Sequence, residues 1–439
     1  MDRPGQYGAG VDRAVFFPLS RLFRLMLDLP IASYSASMIS EDCWLLPEGI
    51  EEILPPAAGR LERLRRELLD LYESWGYEFI VPPLIEFLDS LLTGAGDDLE
   101  LQTFKLTDQL SGRMMGVRAD MTPQAARIDA HLLKRQGPVR LCYMGTVLRT
   151  RADGFGGSRS PYQAGVELYG HRGHESDLEV LTLMLETLRA AGIDEAHLDL
   201  GHVAVFRALV RQAGLSAERE RVLFEALQRK ALPEIHQHLA EWALPAPCRE
   251  GFQALAALNG GPETLDDAEI RLAASSAEVR AALTVLRQLI GALRQQWPDL
   301  PIHVDLAELR GYRYHTGILF SAYTPGQGQA VAQGGRYDEI GQVFGRARPA
   351  TGFSTDLVTL LRLSSARQVA QTGIYAPPVG DAALEEQVTR LRRQGERVIR
   401  ALPGAEVEPR RLGCDRRLAQ QAGKWVVIPL PNSANHTGT

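Results

Sequence analysis

Up to residue 365 the strand signals of this chain fall in two stretches, residues 77–200 and 302–333, and an almost unbroken run of helices, Val203 to Gln296, lies between them. That pooling constrains the fold more than any other feature. In a doubly wound sheet a helix separates each strand from the next, whereas pooled helices and consecutive strands point to an α+β domain. We therefore expect a mainly antiparallel sheet with helices packed on one face. With 439 residues there is room for one large domain and appended pieces. The expected division is a main domain over 38–365 with a helical insertion over 203–297, a small α/β module over 366–431 and a tail over 432–439.

Leu61, Leu64, Leu68 and Leu71 recur at three- and four-residue steps and predict a helix over 57–75 with one buried face. Gly76 ends it, and 77–81 reads as a strand closed by Pro82 and Pro83, because proline has no ladder donor. A helix, strand and proline in this order fit a dimer-building unit or a plain core helix equally. A hairpin is expected from 102–106 and 114–118 around Ser111-Gly112-Arg113. Thr122 as cap and Pro123 in the first turn then start a helix toward His131, which places Asp120 at a strand end just before it. Strands over 139–148 and 162–169 flank a glycine-rich loop, 153–158. Gln163, Gly165 and Glu167 share one face of the second strand, either toward a ligand or toward solvent.

Helix 177–191 and strand 196–200 precede the insertion; strands 302–306, 317–323 and 330–333 follow it. Gly334 to Asp338 reads as a sharp turn, and a helix over 357–363 closes the domain. In the last module, strands over 373–376, 398–401 and 425–428 and helices over 382–394 and 416–423 are expected.

A formal charge of −6 gives no global reason to bind a polyanion such as tRNA. Cys43, Cys142, Cys248 and Cys414 lack CxxC spacing, which argues against a zinc site or disulfide scaffold and suits a reducing cytoplasm. No metal or cofactor is expected. Residues 14–30 are apolar, but Arg21, Arg24 and Asp28 interrupt them, so neither a membrane span nor a secretory core fits well. Residues 1–37 are read as a loosely ordered extension or an upstream start, since Met38 precedes the first orderly element, with an unusual export signal as the alternative.

The blocks from Trp44 to Ile50, Thr103 to Arg113, Arg118 to His131 and Phe344 to Phe353, with Leu148-Arg149-Thr150-Arg151, Gln163 to Glu167, Arg310-Gly311-Tyr312 and Gly334 to Asp338, carry a resemblance. Over roughly 45–363 the chain resembles the catalytic domain of histidyl-tRNA synthetase, a class II synthetase. It is still more similar to a non-catalytic relative, the regulatory subunit family of ATP phosphoribosyltransferase. The resemblance implies a histidine pocket. Asp120, with Thr122 and Gln163, stands where the ammonium is held. Arg149 and Arg310 stand at the carboxylate, and Glu167 at the imidazole. A carboxylate for the ammonium, a guanidinium for the carboxylate and a second carboxylate for the ring is the set such a zwitterion needs. His315 replaces a tyrosine of the synthetase, so Tyr314 or His315 serves the ring, unless His315 is satisfied by neighbouring backbone.

Departures from the synthetase fall on its nucleotide end. Arg151 stands for a glutamate, Gly157 for the loop arginine that reaches ATP, and Thr359 for the arginine that clamps it. Each lost electrostatic donor costs about 3 kcal/mol of transition-state stabilisation. The resemblance thus implies a dimeric subunit without catalysis, joined to the catalytic subunit of short-form ATP phosphoribosyltransferase, with histidine as feedback signal. The competing readings are a divergent histidyl-tRNA synthetase and an isolated histidine sensor. The last module resembles a shortened anticodon-binding domain.

Overall fold

Leu61, Leu64, Leu68 and Tyr72 form the buried stripe of helix Ala57–Ser74, and Gly76, at φ +81°, turns the chain out of it. Fully burying each such side chain contributes about 1.5–3 kcal/mol. Tyr72 takes the place expected of Leu71, which is half-buried. The computed structural model describes residues 44–93, 97–152, 157–309, 311–312, 314–365, 372–405 and 407–431. The expectations for 1–37, for loop positions 153–156, for Cys43 and Arg310, and for the tail lie outside the described residues.

The strands are β1 (Glu78–Phe79), β2 (Ile85–Phe87), β3 (Phe104–Thr107), β4 (Met114–Val117), β5 (Val139–Thr146), β6 (Tyr162–Tyr169), β7 (His197–His202) and β8 (Asn259–Gly260). They continue with β9 (Ile302–Asp305), β10 (Ile318–Tyr323), β11 (Ala332–Arg336), β12 (Ala350–Asp356), β13 (Gly373–Ala376), β14 (Val398–Arg400), β15 (Cys414–Gln421) and β16 (Lys424–Pro429). The main sheet runs β1-β5-β6-β12-β11-β10-β7-β9-β8. Its pairs are antiparallel except β1 with β5 and β7 with β9.

Alternation along β6 divides the sheet into two environments. Ala164, Val166 and Leu168 join the large core with helices Ala57–Ser74 and His174–Ala190, while Gln163, Gly165 and Glu167 point to the other face. Helices Val203–Ala213, Ala217–Gln228, Leu232–Glu241, Ala246–Ala257, Thr264–Arg271 and Ala277–Gln296 follow β7, interrupted by the two-residue β8. The expected hairpin pairs β3 with β4, and β2 adds to it as a three-stranded sheet.

Four expectations are corrected. Gly334 and Gly335 lie inside β11 and not in a turn; Gly334 pairs with Phe353 and Phe320, and the Phe320 ring fills the space its missing side chain leaves. Thr122 is not a cap. Its backbone N–H donates to Asp120 Oδ1 at 3.0 Å while its hydroxyl turns to Tyr143, and α-helix ends at Arg127 before a wider π turn, Ile128–Leu133. The strand expected over 77–81 pairs only at Glu78 and Phe79. Finally, 416–423 is not helical: β15 pairs in parallel with β13 and folds back on β16. Ala422 and Gly423, at φ +47° and +77°, make the two-residue turn that a tight hairpin requires. Sheet β14-β13-β15-β16 packs one face on helix Ala382–Arg393 through Ile374, Ala376, Leu384, Val388 and Leu418. Cys142, Cys248 and Cys414 are free and buried. No described helix is long and apolar enough to cross a membrane.

Candidate functional site

The inner face of β6 is buried, so Gln163 and Glu167 are not a solvent-facing stripe. Tyr143 of β5 sits opposite Gly165, and a side chain there would come within 2.5 Å of the phenol oxygen; glycine is what lets the ring lie across the strand. The phenol donates to Glu167 Oε1 at 2.9 Å. A phenol has one hydrogen, so the Thr122 hydroxyl, 3.0 Å away, donates to it. Gln163 is used at both ends: its Nε2 donates to Asp120 Oδ1 at 2.8 Å and its Oε1 accepts from the Met121 amide at 3.0 Å. Gln163 thereby aims the Asp120 carboxylate.

Glu167 Oε2 is buried and has no partner, and the same holds for the Tyr337 hydroxyl. Gly352 of β12 pairs with Glu167, and a Cβ on it would fall on both of those oxygens. Burial pushes the Glu167 carboxyl well above its usual range, outweighing the Tyr143 hydrogen bond, and the Asp120 charge pushes the same way. A neutral Glu167 that accepts at Oε1 keeps its proton for Oε2.

These groups wall a cavity of about 140 Å³, close to the roughly 150 Å³ that admits a benzene ring in an engineered core. Asp120, Thr122, Glu167, Tyr314 and His315 line it, with Glu308 and Tyr337. His315 Nδ1 lies 3.3 Å from the Arg336 carbonyl, so the backbone-satisfied alternative describes one nitrogen, yet the ring also lines the cavity. Burial lowers the His315 pKa to about 3, keeping it neutral. Its ring packs at 4.2 Å from Tyr314 and edge-on to Tyr337 at 5.9 Å.

Arg149 is not on the wall. Its Nε donates to the Ala119 carbonyl at 3.3 Å, one residue before Asp120. Thr359 donates its hydroxyl to Asp356 Oδ2 at 2.6 Å, at the start of helix Leu357–Leu363.

The sequence model for histidyl-tRNA synthetase matches residues 49–360, and that for the C-terminal domain of the ATP phosphoribosyltransferase subunit HisZ matches 371–428. The ATP phosphoribosyltransferase regulatory subunit of Thioalkalivibrio sulfidiphilus is 58% identical over 395 residues, 90% of this chain and 100% of that one. The chain belongs to the ATP phosphoribosyltransferase regulatory subunit family. That of Nitrosococcus oceani is 57% identical over 88% of this chain and 97% of its own. Among solved structures, an ATP phosphoribosyltransferase regulatory subunit/histidyl-tRNA synthetase from Bacillus halodurans superimposes with TM-score 0.74 at 26% identity, covering 84% of this chain and 95% of that one. Histidyl-tRNA synthetase from Nostoc shares the fold, with TM-score 0.71 at 19% identity over 88% and 97%. The regulatory-subunit reading is thus favoured over the synthetase, and the α+β class II fold stands.

For this family member, sequence reasoning passed over Tyr337, Gly352 and Glu308. The signal for Tyr337 was present in Gly334 to Asp338, but its glycines were taken as a turn.

Proposed function

We propose that this chain is a non-catalytic subunit that activates the catalytic subunit of short-form ATP phosphoribosyltransferase in the cytoplasm, and that its cavity reads histidine as the feedback signal of that pathway's first step. The observation that carries the pocket is the pair of buried, unpartnered oxygens, Glu167 Oε2 and Tyr337 Oη, at the wall of a ring-sized cavity that Asp120 also lines. A ring nitrogen against Glu167 and an ammonium against Asp120 would satisfy groups that are costly to leave bare. In this reading Arg149 and Arg310 meet the carboxylate, Gln163 and Thr122 steady the ammonium end, and Tyr314 and His315 flank the ring. Gly157 and Thr359 leave the nucleotide end without two of its arginines, Arg151 stands where a glutamate would be, and Thr359 is engaged with Asp356. We assign no tRNA to the module 366–431, no cofactor, and a body over 38–365 with the insertion 203–297.

Added to the purified catalytic subunit, the chain is expected to raise phosphoribosyl transfer at least tenfold. Alone it should give no histidine-dependent exchange of pyrophosphate into ATP. Measurable exchange would restore the synthetase reading, and an unstimulated catalytic subunit would leave only the isolated sensor.

The chain also forms a self-dimer in this proposal. Two cross-strand rows, Ile85–Val117–Phe104 and Phe87–Met115–Leu106, give one face of the three-stranded sheet six apolar side chains, none of them buried. Exposed Phe79, Val81 and Leu84 lie just before it in the chain. A patch of this kind marks an interaction surface, and a second copy covers it with the same patch about a two-fold axis. Ile85→Asp with Leu106→Asp is expected to cost about 2 kcal/mol per site and to give monomers in sedimentation; a persistent dimer places the interface elsewhere.

A further inference from the structure

The loop that brings Gly311, Tyr314 and His315 to the cavity also sends one side chain the other way. Tyr312 enters the helical insertion. Its ring lies 5.3 Å from Phe206 of helix Val203–Ala213, edge-on, and 5.3 Å from Phe224 of helix Ala217–Gln228. The Arg207 guanidinium covers it at 4.9 Å and donates to the Tyr312 carbonyl at 2.8 Å, and the phenol donates to Glu220. The loop is tightly turned on either side. Tyr312 N–H bonds the Leu309 carbonyl, and the amides of Tyr314 and His315 both bond the Gly311 carbonyl, at 3.0, 3.1 and 3.0 Å. Gly311, at φ +64°, sits where an added Cβ would strike the His315 and Tyr314 rings. A shift of Tyr312 is therefore passed to the two ring residues that line the cavity, because close-packed groups move together and do not deform continuously.

We propose that Tyr312 is a positioning residue that ties the ligand-facing loop to the helical insertion, so that an amino acid in the cavity stabilises helix Ala217–Gln228, none of whose residues lines the cavity. It touches no ligand itself. The proposal rests on the histidine reading of the cavity for its ligand, but the tether can be read without one.

The test is hydrogen exchange on the full chain, with Tyr312→Phe and Glu220→Ala. Each removes the phenol–carboxylate hydrogen bond and keeps the ring stack. Without ligand, both are expected to speed exchange of the Leu309, Gly311, Tyr312, Tyr314 and His315 amides about tenfold, as loss of one charge-assisted hydrogen bond allows, while β5 and β6 amides are unchanged. With millimolar histidine, wild type should slow exchange in Ala217–Gln228, and both variants should lose that protection and bind histidine about fivefold more weakly, the size of a modest coupling. Unchanged loop exchange in Tyr312→Phe and Glu220→Ala overturns the tether. Faster loop exchange in the variants, with no histidine binding to wild type, keeps the tether and overturns the histidine reading. Retained protection of the insertion in both variants overturns the coupling while leaving the pocket in place.

Discussion

Glu167→Ala is expected to weaken histidine about 100-fold and to blunt its inhibition of the two-subunit complex while assembly persists. Leaving a buried polar group without its hydrogen-bond partner costs about 1–3 kcal/mol, and Glu167 is 1% exposed with one oxygen held by Tyr143 and the other bare. Alanine removes the ligand's partner and leaves the Tyr143 phenol without its acceptor. Arg149→Ala should act in the same direction from the carboxylate end. Calorimetry with histidine and inhibition of phosphoribosyl transfer read both; unchanged inhibition in both variants refutes the site. Glu167→Gln separates charge from shape through pH. The folded-state pKa of Glu167 is raised by burial, so its favourable contribution is full below the ordinary value of 4.5 and is lost as pH rises through the folded value. The glutamine variant carries no such loss. Relative to wild type it should gain stability as pH rises above the ordinary carboxyl range, by at most about 1.4 kcal/mol per pH unit. Denaturant midpoints at pH 5 and pH 8 check this, and a difference that is flat with pH would place an ionised Glu167 in the folded protein.

Where periodicity and burial agree, the sequence was readable. Helix Ala57–Ser74 carries its stripe in plain view, and β6 needed only its alternation for Gln163, Gly165 and Glu167 to be placed on one face. Asp120, Thr122, Glu167, Tyr314 and His315 reach one cavity from segments that the family motifs mark. The readings that failed did so where tertiary context outweighs local preference. Arg416 to Gly423 is rich in good helix formers, yet it lies between two strands of a sheet that buries Leu418, and the pairing decides. Gly334 and Gly335 are turn residues by habit; here they admit the Phe320 and His315 rings against β11. No local pattern announces that, because the rings come from residues fourteen and twenty positions earlier. Tyr337 was lost with the same misreading. The anchoring of Tyr312 is also non-local, since Phe206, Phe224 and Glu220 are brought to it by the packing of the insertion.

Arg336→Ala is expected to destabilise the chain by about 3–5 kcal/mol, the cost of leaving a buried charge without its partner. The guanidinium is 9% exposed and spends its donors fully. Nε reaches both Asp177 oxygens at 3.1 Å, one terminal nitrogen reaches the His171 carbonyl and Asp338, and the other reaches the Gly173 carbonyl and the Ser176 hydroxyl. Burial already raises the Asp177 pKa against the opposing pull of Arg336, so removal of the cation leaves an acid that must take up a proton or remain bare. Lysine cannot repair this, because one ammonium cannot span the fork that joins Asp177 to the two carbonyls. Arg336→Lys should therefore recover less than half of the loss in urea unfolding. Arg336→Met with Asp177→Leu should recover more, since it removes both charges together. A loss under about 1 kcal/mol in Arg336→Ala would mean that water replaces the cation and that the pair is not a stabilising element. The same arginine bears on the pocket. Its carbonyl holds His315 Nδ1 and the next residue is Tyr337, so the end of β11 fixes two walls of the cavity. In Arg336→Lys, histidine affinity should fall together with stability, whereas in Glu167→Gln stability at high pH and affinity should move in opposite directions. That divergence separates a group that builds the cavity from one that faces its occupant.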